Sequence, residues 1–93
     1  MLTQKKHGKG AHSDAEDRSE QLAAVIAKNV LGLLGQPPGR FRVDVRSLWN
    51  NRYRVNVLRA EDGMLNQIAH SYFIFTDAEG GILTATPPIV RAY

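Results

Sequence analysis

A strict alternation of apolar and arginine side chains between residues 40 and 60 constrains the fold of this chain more than any other feature. The apolar side chains occupy odd positions: Phe41, Val43, Val45, Tyr53, Val55 and Val57. The same stretch holds six of the eight arginines, which are Arg40, Arg42, Arg46, Arg52, Arg54 and Arg59. Successive side chains of a strand point to opposite faces of its sheet, so this pattern predicts strands with one buried and one solvated face. We expect a β-hairpin whose solvated face is basic.

The turn of this hairpin is predicted around Asn50 and Asn51, between strands at about 40–48 and 53–60. A plain two-residue turn pairs odd positions with even ones, which would place the two apolar sets on opposite faces. Alternation instead requires Val45 to lie opposite Val55 or Val57. We therefore predict a three-residue loop or a β-bulge.

An amphipathic helix is predicted to precede the hairpin, from Asp14 to about Leu34. Ser13 and Glu16 have the spacing of a capping box at its start. Its apolar face follows helical spacing and comprises Leu22, Val25, Ile26, Val30 and Leu33. Gly35 suits the position just after a helix, and the following Pro37-Pro38 prevents its continuation.

Two residues, Asn29 and Leu31, do not fit a one-sided helix, and a glycine follows them. Asn29 lies within the apolar arc and needs hydrogen-bond partners if buried, from a strand backbone or a small polar pocket. Leu31 points away from the arc, either as a lone exposed leucine or as part of a second contact surface. Gly32 weakens the helix slightly and offers a place for a strand backbone to approach.

Two further strands are predicted after the hairpin. The third lies within 64–76, and the fourth, at 82–86, follows a turn at 77–81 with a left-handed glycine. Pro87-Pro88 ends strand pairing, and residues 89–93 are expected to run extended along the edge of the domain. Every strand connection is short. The prediction is therefore an α+β domain in two layers, with one N-terminal helix on a four-stranded antiparallel meander of order 1-2-3-4.

The third strand is apolar at both parities over residues 72–75, which predicts cover on both faces. One face meets the helix. The other carries Leu48, Leu58 and either Phe73 with Phe75 or Tyr72 with Ile74. The C-terminal segment, a second copy or a partner would cover it, so the sequence favours a monomer or a homodimer.

The N-terminal segment has a different composition. Residues 1–12 are rich in lysine, glycine and histidine, and we interpret them as a mobile basic tail before a single domain at 13–93. His7 and His12 are too few to predict a metal site. The chain has no cysteine, and it has no apolar run near 18 residues and no secretory apolar core. The expected location is the cytoplasm, with no membrane association.

The positive charge is concentrated on the hairpin, and this concentration matters more for a partner than the net charge of +3. The candidate binding face comprises Arg40, Arg42, Arg46, Arg52, Arg54 and Trp49. We predict a non-catalytic interaction module in which a protein partner or self-association is favoured. The first alternative is RNA or DNA binding, because arginine binds phosphate and stacks on planar groups. The second alternative is a small enzyme or a ligand-binding subunit.

No catalytic signature accompanies this face. His70 and Ser71 are adjacent in a predicted strand, so their side chains point to opposite faces and do not form a Ser–His pair. The phosphate-binding, zinc-protease and nucleophile-elbow motifs are missing from the sequence. We therefore expect no enzymatic activity, no cofactor and no metal.

Overall fold

The computed structural model describes the backbone of residues 10–93 and the side chains from residue 18 onward. One helix precedes a four-stranded antiparallel sheet in the order β1-β2-β3-β4, which confirms the predicted α+β architecture. The elements are α1 (Gly10–Leu34), β1 (Phe41–Ser47), β2 (Arg52–Glu61), β3 (Met64–Thr76) and β4 (Ile82–Thr86). No helix in this part of the chain is long and apolar enough to span a membrane.

Helix α1 begins earlier than predicted. It starts at Gly10, four residues before Asp14, so Ser13 lies inside the helix and the predicted capping box is wrong. Serine in a helix interior costs only a few tenths of a kcal/mol, so the capping signal does not stop the helix there. Of the predicted tail, residues 10–12 belong to α1, and residues 1–9, including His7, lie outside the described residues.

The end of α1 is closed by the C-terminal segment. Gly35 adopts a left-handed φ of 93°, and its amide donates to the Leu31 carbonyl at 2.8 Å, as predicted for a residue just after a helix. The amides of Ala92 and Tyr93 donate to the Leu34 carbonyl at 2.8 and 3.2 Å. Helix α1 and the C-terminal segment therefore meet at this helix end.

The core lies between α1 and one face of the sheet. Its buried members are Ile26, Val30, Leu34, Tyr53, Val55, Val57, Tyr72 and Ile74. The predicted helix arc needs correction, because Leu34 is fully buried while Val25 and Leu33 are 40% and 50% exposed. The sheet contacts the ridge of residues spaced four apart, which leaves the flanking positions at the edge of the interface.

Asn29 bonds the backbone, but the backbone of a turn rather than the strand backbone that was one of its two predicted partners. Its Nδ2 donates to the Gly80 carbonyl, 3.0 Å away in the β3–β4 turn. The strand backbone does not approach Gly32 as predicted, and the close contact of α1 is with the turn residue Gly80. A Cβ on Gly80 would lie 3.1 Å from Leu22 and from Val25, whereas a Cβ on Gly32 would meet nothing within 4 Å.

The first hairpin has one of the two predicted registers, and its turn contains a bulge. Val45 pairs with Val55. The Leu48 amide donates to the Arg52 carbonyl, and the Arg52 amide donates to the Trp49 carbonyl, both at 2.8 Å. Leu48 and Trp49 thus both face Arg52, and this extra residue restores odd-to-odd pairing across the hairpin.

The second hairpin decides which face each residue of β3 occupies. Asn66 and Ala69 of β3 have no partner on β2, so each shifts the register by one residue. Two such shifts cancel in parity, so the even positions of β2 again pair with the odd positions of β3, as a two-residue turn requires. Tyr72 pairs with Val55 on the core face. Phe73 and Phe75, each between two core-facing neighbours, therefore point to the opposite face.

Candidate functional site

The sheet face opposite α1, called the open face below, follows from strand alternation and register. Its members are Arg42, Asp44, Arg46, Arg52, Arg54, Asn56, Leu58, Ile68, Ser71, Phe73, Phe75, Thr84 and Thr86. It contains four of the six residues predicted for the binding face. The side chains fall into a basic aromatic cluster near the first turn and a more apolar region at the other end.

Two arginines lie directly opposite each other in the basic cluster. Arg46 pairs with Arg54 in the β1–β2 register, and like charges placed this way destabilise a sheet. Both side chains are exposed, and no ion pair engages either of them within the described residues. They line a shallow groove together with Asp44 and Asn56. An anion placed between the two guanidinium groups would relieve their repulsion.

Trp49 stands beside this arginine pair. It is 58% exposed, and its ring centroid lies 6.1 Å from that of Phe73, with the ring planes tilted by 51°. Phe73 is itself the β3 partner of Arg54. The exposed indole and the arginine pair therefore share one side of the sheet.

Arg52 is fixed against a second aromatic ring. Its guanidinium carbon lies 4.6 Å from the centroid of the Phe75 ring, and its Nη1 donates to the Asn50 carbonyl at 3.0 Å. A cation over an aromatic face is attracted by the ring quadrupole. The cluster of Trp49, Arg46, Arg54, Phe73 and Arg52 thus extends across three strands.

The remaining predicted arginines are engaged elsewhere. Arg42 forms a two-point ion pair with Asp44, through contacts of 2.8 and 3.2 Å. Arg40 lies at the other end of the hairpin, where its Nη1 donates to the Gly63 carbonyl at 3.1 Å. The structure therefore brings together Arg46, Arg52, Arg54 and Trp49 and separates them from Arg40 and Arg42.

A short polar network lies beside Arg54. The Ser71 hydroxyl donates to Asn56 Oδ1 at 2.6 Å, and Arg54 Nη1 lies 3.5 Å from the Ser71 oxygen. The network does not neutralise the arginine, because neither Ser71 nor Asn56 is charged.

The far end of the open face is apolar. Leu58 is 8% exposed, although it does not belong to the core cluster, and its β3 partner Ile68 is 56% exposed. Leu58 lies directly opposite Arg42 of the Arg42–Asp44 ion pair.

Phe73 and Phe75 are the site residues that the sequence left undecided. A two-residue turn at Asp62-Gly63 pairs even positions of β2 with odd positions of β3. This pairing rule would have placed both rings beside the arginines. The two bulges together do not change which positions pair.

Groups capable of proton transfer do not converge at the cluster. His70 Nε2 lies 2.9 Å from the Tyr93 hydroxyl, whereas Ser71 bonds Asn56, so these two neighbours have separate partners. Burial, with a smaller contribution from nearby Tyr93, raises the pKa of Tyr72. Across the described residues, no three histidine, aspartate or glutamate side chains are grouped as metal ligands.

The cluster is therefore a surface of stacking groups and uncompensated cations. No protein-family model, curated protein or solved structure matches the chain.

Proposed function

We propose that this chain is a non-catalytic binding module that holds single-stranded nucleic acid on the open face of its sheet. The observation that carries the proposal is the exposed Trp49 in contact with Phe73, on the same face as Arg46 and Arg54. We place the module in the cytoplasm, since a chain without cysteine is compatible with a reducing compartment.

The base and the phosphate of a nucleotide match the aromatic rings and the arginines of the cluster. Unstacked bases lie on exposed aromatic rings, and each such contact contributes about 1–3 kcal/mol. Phosphates bind arginine through two parallel hydrogen bonds. Because Arg54 is paired with Arg46 on one side and with Phe73 on the other, base and phosphate positions are adjacent.

The same geometry favours single strands over duplexes. In a duplex the base faces are stacked on each other, so they are not accessible to Trp49 or Phe73. Arg46 and Arg54 would still contact duplex phosphates, which predicts weaker and more salt-sensitive duplex binding.

The test uses the fluorescence of Trp49, the only tryptophan in the chain. The protein is titrated with short RNA and DNA homopolymers and with duplex DNA at two salt concentrations. We expect quenching by single strands. The affinity should fall with salt at a slope of about 0.7 per phosphate neutralised.

Two matched double variants distinguish binding at Arg46 and Arg54 from a general effect of the protein's positive charge. Arg46→Gln/Arg54→Gln should weaken binding and lower the salt slope by about 1.4. Arg18→Gln/Arg91→Gln removes the same charge from exposed positions off the open face and should leave the slope nearly unchanged. Equal losses in both double variants, or no binding by the wild type at low salt, would contradict the proposal.

A protein partner is the second candidate, and the apolar end of the open face favours it. Leu58 and Ile68 lie beside the arginines, an arrangement that suits an acidic peptide with apolar side chains. Tight binding of an acidic polypeptide, together with no quenching by RNA, would favour this candidate over nucleic acid.

A further inference from the structure

The two edges of the sheet differ in charge. Strand β1 forms one edge and carries Arg42, Asp44 and Arg46 within seven residues. Strand β4 forms the other edge and has the sequence Ile-Leu-Thr-Ala-Thr, with no charged residue. Charges on an edge strand oppose pairing with another chain. Strand β4 lacks this protection.

The β4 edge also presents apolar surface. Register skips Leu83, so this residue forms a bulge, and its side chain is 56% exposed. A groove beside the strand, lined largely by apolar atoms, runs between Ile82 and the helix residues Gly32 and Leu33. Leu33 is half exposed in this groove. An unpaired strand edge next to exposed apolar side chains is typical of a docking surface.

The charges that flank β4 are complementary to an antiparallel copy of the same strand. Asp77 and Glu79 precede β4, and Arg91 follows it along the chain. When two copies of β4 pair antiparallel about a two-fold axis, the acidic end of each lies towards the basic end of the other. A parallel arrangement would bring like charges together instead, and so would antiparallel β1 strands paired about Asp44, with Arg42 facing Arg46.

We propose that the β4 edge is a homodimer interface, with a second copy of this chain as its occupant. Two β4 strands pair about Thr84 and join the two sheets into one of eight strands. A two-fold axis perpendicular to the sheet keeps both helices on one side and both open faces on the other. Leu83 and Leu33 are buried where the copies meet.

The dimer extends the proposed binding surface without adding a new kind of contact. The two basic clusters lie on one continuous face, so one long strand of nucleic acid would engage both copies with increased effective concentration. This consequence depends on the proposed function. The dimer itself does not, and it is measured without any ligand.

Sedimentation equilibrium over about a hundredfold range of protein concentration tests the interface in the full chain. We expect a concentration-dependent dimer for the wild type and a monomer for Leu83→Lys. Ile68→Lys is the matched control, because Ile68 has the same exposed fraction as Leu83 but lies on the open face. It should remain a dimer. Far-UV circular dichroism of each variant establishes that it is folded.

The remaining outcomes overturn the proposal. A wild type that stays monomeric over the whole range has no such interface. A folded Leu83→Lys that remains a dimer shows that the copies meet elsewhere. Loss of the dimer in Ile68→Lys, alone or together with Leu83→Lys, assigns self-association to the open face. RNA binding by a monomeric wild type would preserve the proposed function and remove only the dimer.

Discussion

The two faces of this sheet follow the same alternation of side chains and yet have opposite environments. On the covered face, Val55 and Ile74 are fully buried against α1. On the open face, their neighbours Arg54 and Phe73 meet solvent or each other. The helix buries the covered face, where β3 contributes Tyr72, whereas both phenylalanines of β3 lie on the face that has no helix above it. Aromatic rings without a helix above them are available for a ligand.

The covered and open faces should differ most in how much a truncated side chain lowers the free energy of unfolding. Ile74→Ala removes a fully buried side chain from the core and should lower the free energy of unfolding by about 2–5 kcal/mol. Phe73→Ala, one position away, should lower it by only about 1 kcal/mol, because that ring is half-buried. Urea unfolding followed by circular dichroism measures both. Equal losses would mean that the open face is as well packed as the core.

A second contrast concerns the turns. The β3–β4 turn packs on α1, whereas the β2–β3 turn projects into solvent. Gly80→Ala combines a φ of 90° with contacts at 3.1 Å to Leu22 and Val25, and should destabilise by about 2–3 kcal/mol. Gly63→Ala has a similar φ of 81° and nothing within 4 Å, so about 1 kcal/mol is expected. Thermal unfolding of the pair isolates the contribution of the close approach. Identical midpoints would assign the whole effect to backbone strain.

A smaller effect comes from pH. The pKa of Tyr72 is raised in the folded state, chiefly by burial. Above the ordinary value of 10.0, the unfolded chain has lost a proton that the folded chain retains, so stability falls as pH rises through this window. Below it, Tyr72 is neutral in both states and contributes no pH dependence. Tyr72→Phe should therefore flatten the alkaline loss of stability in urea unfolding curves. An unchanged slope would show that other groups cause it.

The smallest change in stability is expected at the Arg42–Asp44 ion pair, which distinguishes Arg42 from Arg46 and Arg54 on the open face. Asp44→Asn removes an exposed ion pair and should alter the free energy of unfolding by less than about 1 kcal/mol. It also releases Arg42 for phosphate. The affinity for single strands should rise, and the salt slope should increase by about 0.7. Trp49 fluorescence provides the measurement, and unchanged affinity would place Arg42 outside the binding surface.

The sequence predicted those features that depend on alternation alone. Parity was enough to limit Val45 to Val55 or Val57 and to require a three-residue loop or a bulge, and it separated His70 from Ser71. The meander followed from short connections between strands.

Features that depend on competition between neighbours were not predicted. The helix has apolar residues on a wide arc, and only contact with the sheet selects the ridge that includes Leu34 over the flank with Leu33. Trp49 belongs to a bulge, where alternation no longer assigns a face. The split of the arginines was partly readable, because Arg42 and Asp44 are two residues apart on one strand and therefore share a face.

The bulge at Leu48 and Trp49 also determines which insertions and deletions the chain can tolerate. Removing one residue from this turn would give a plain two-residue hairpin and reverse the parity of β1 relative to β2. Val43 and Val45 would then turn towards solvent, while Arg42, Asp44 and Arg46 would turn towards α1. The number of residues in the turn therefore determines which side chains of β1 face the core. Lineages descended from this sequence should therefore keep the residue count of the turn constant.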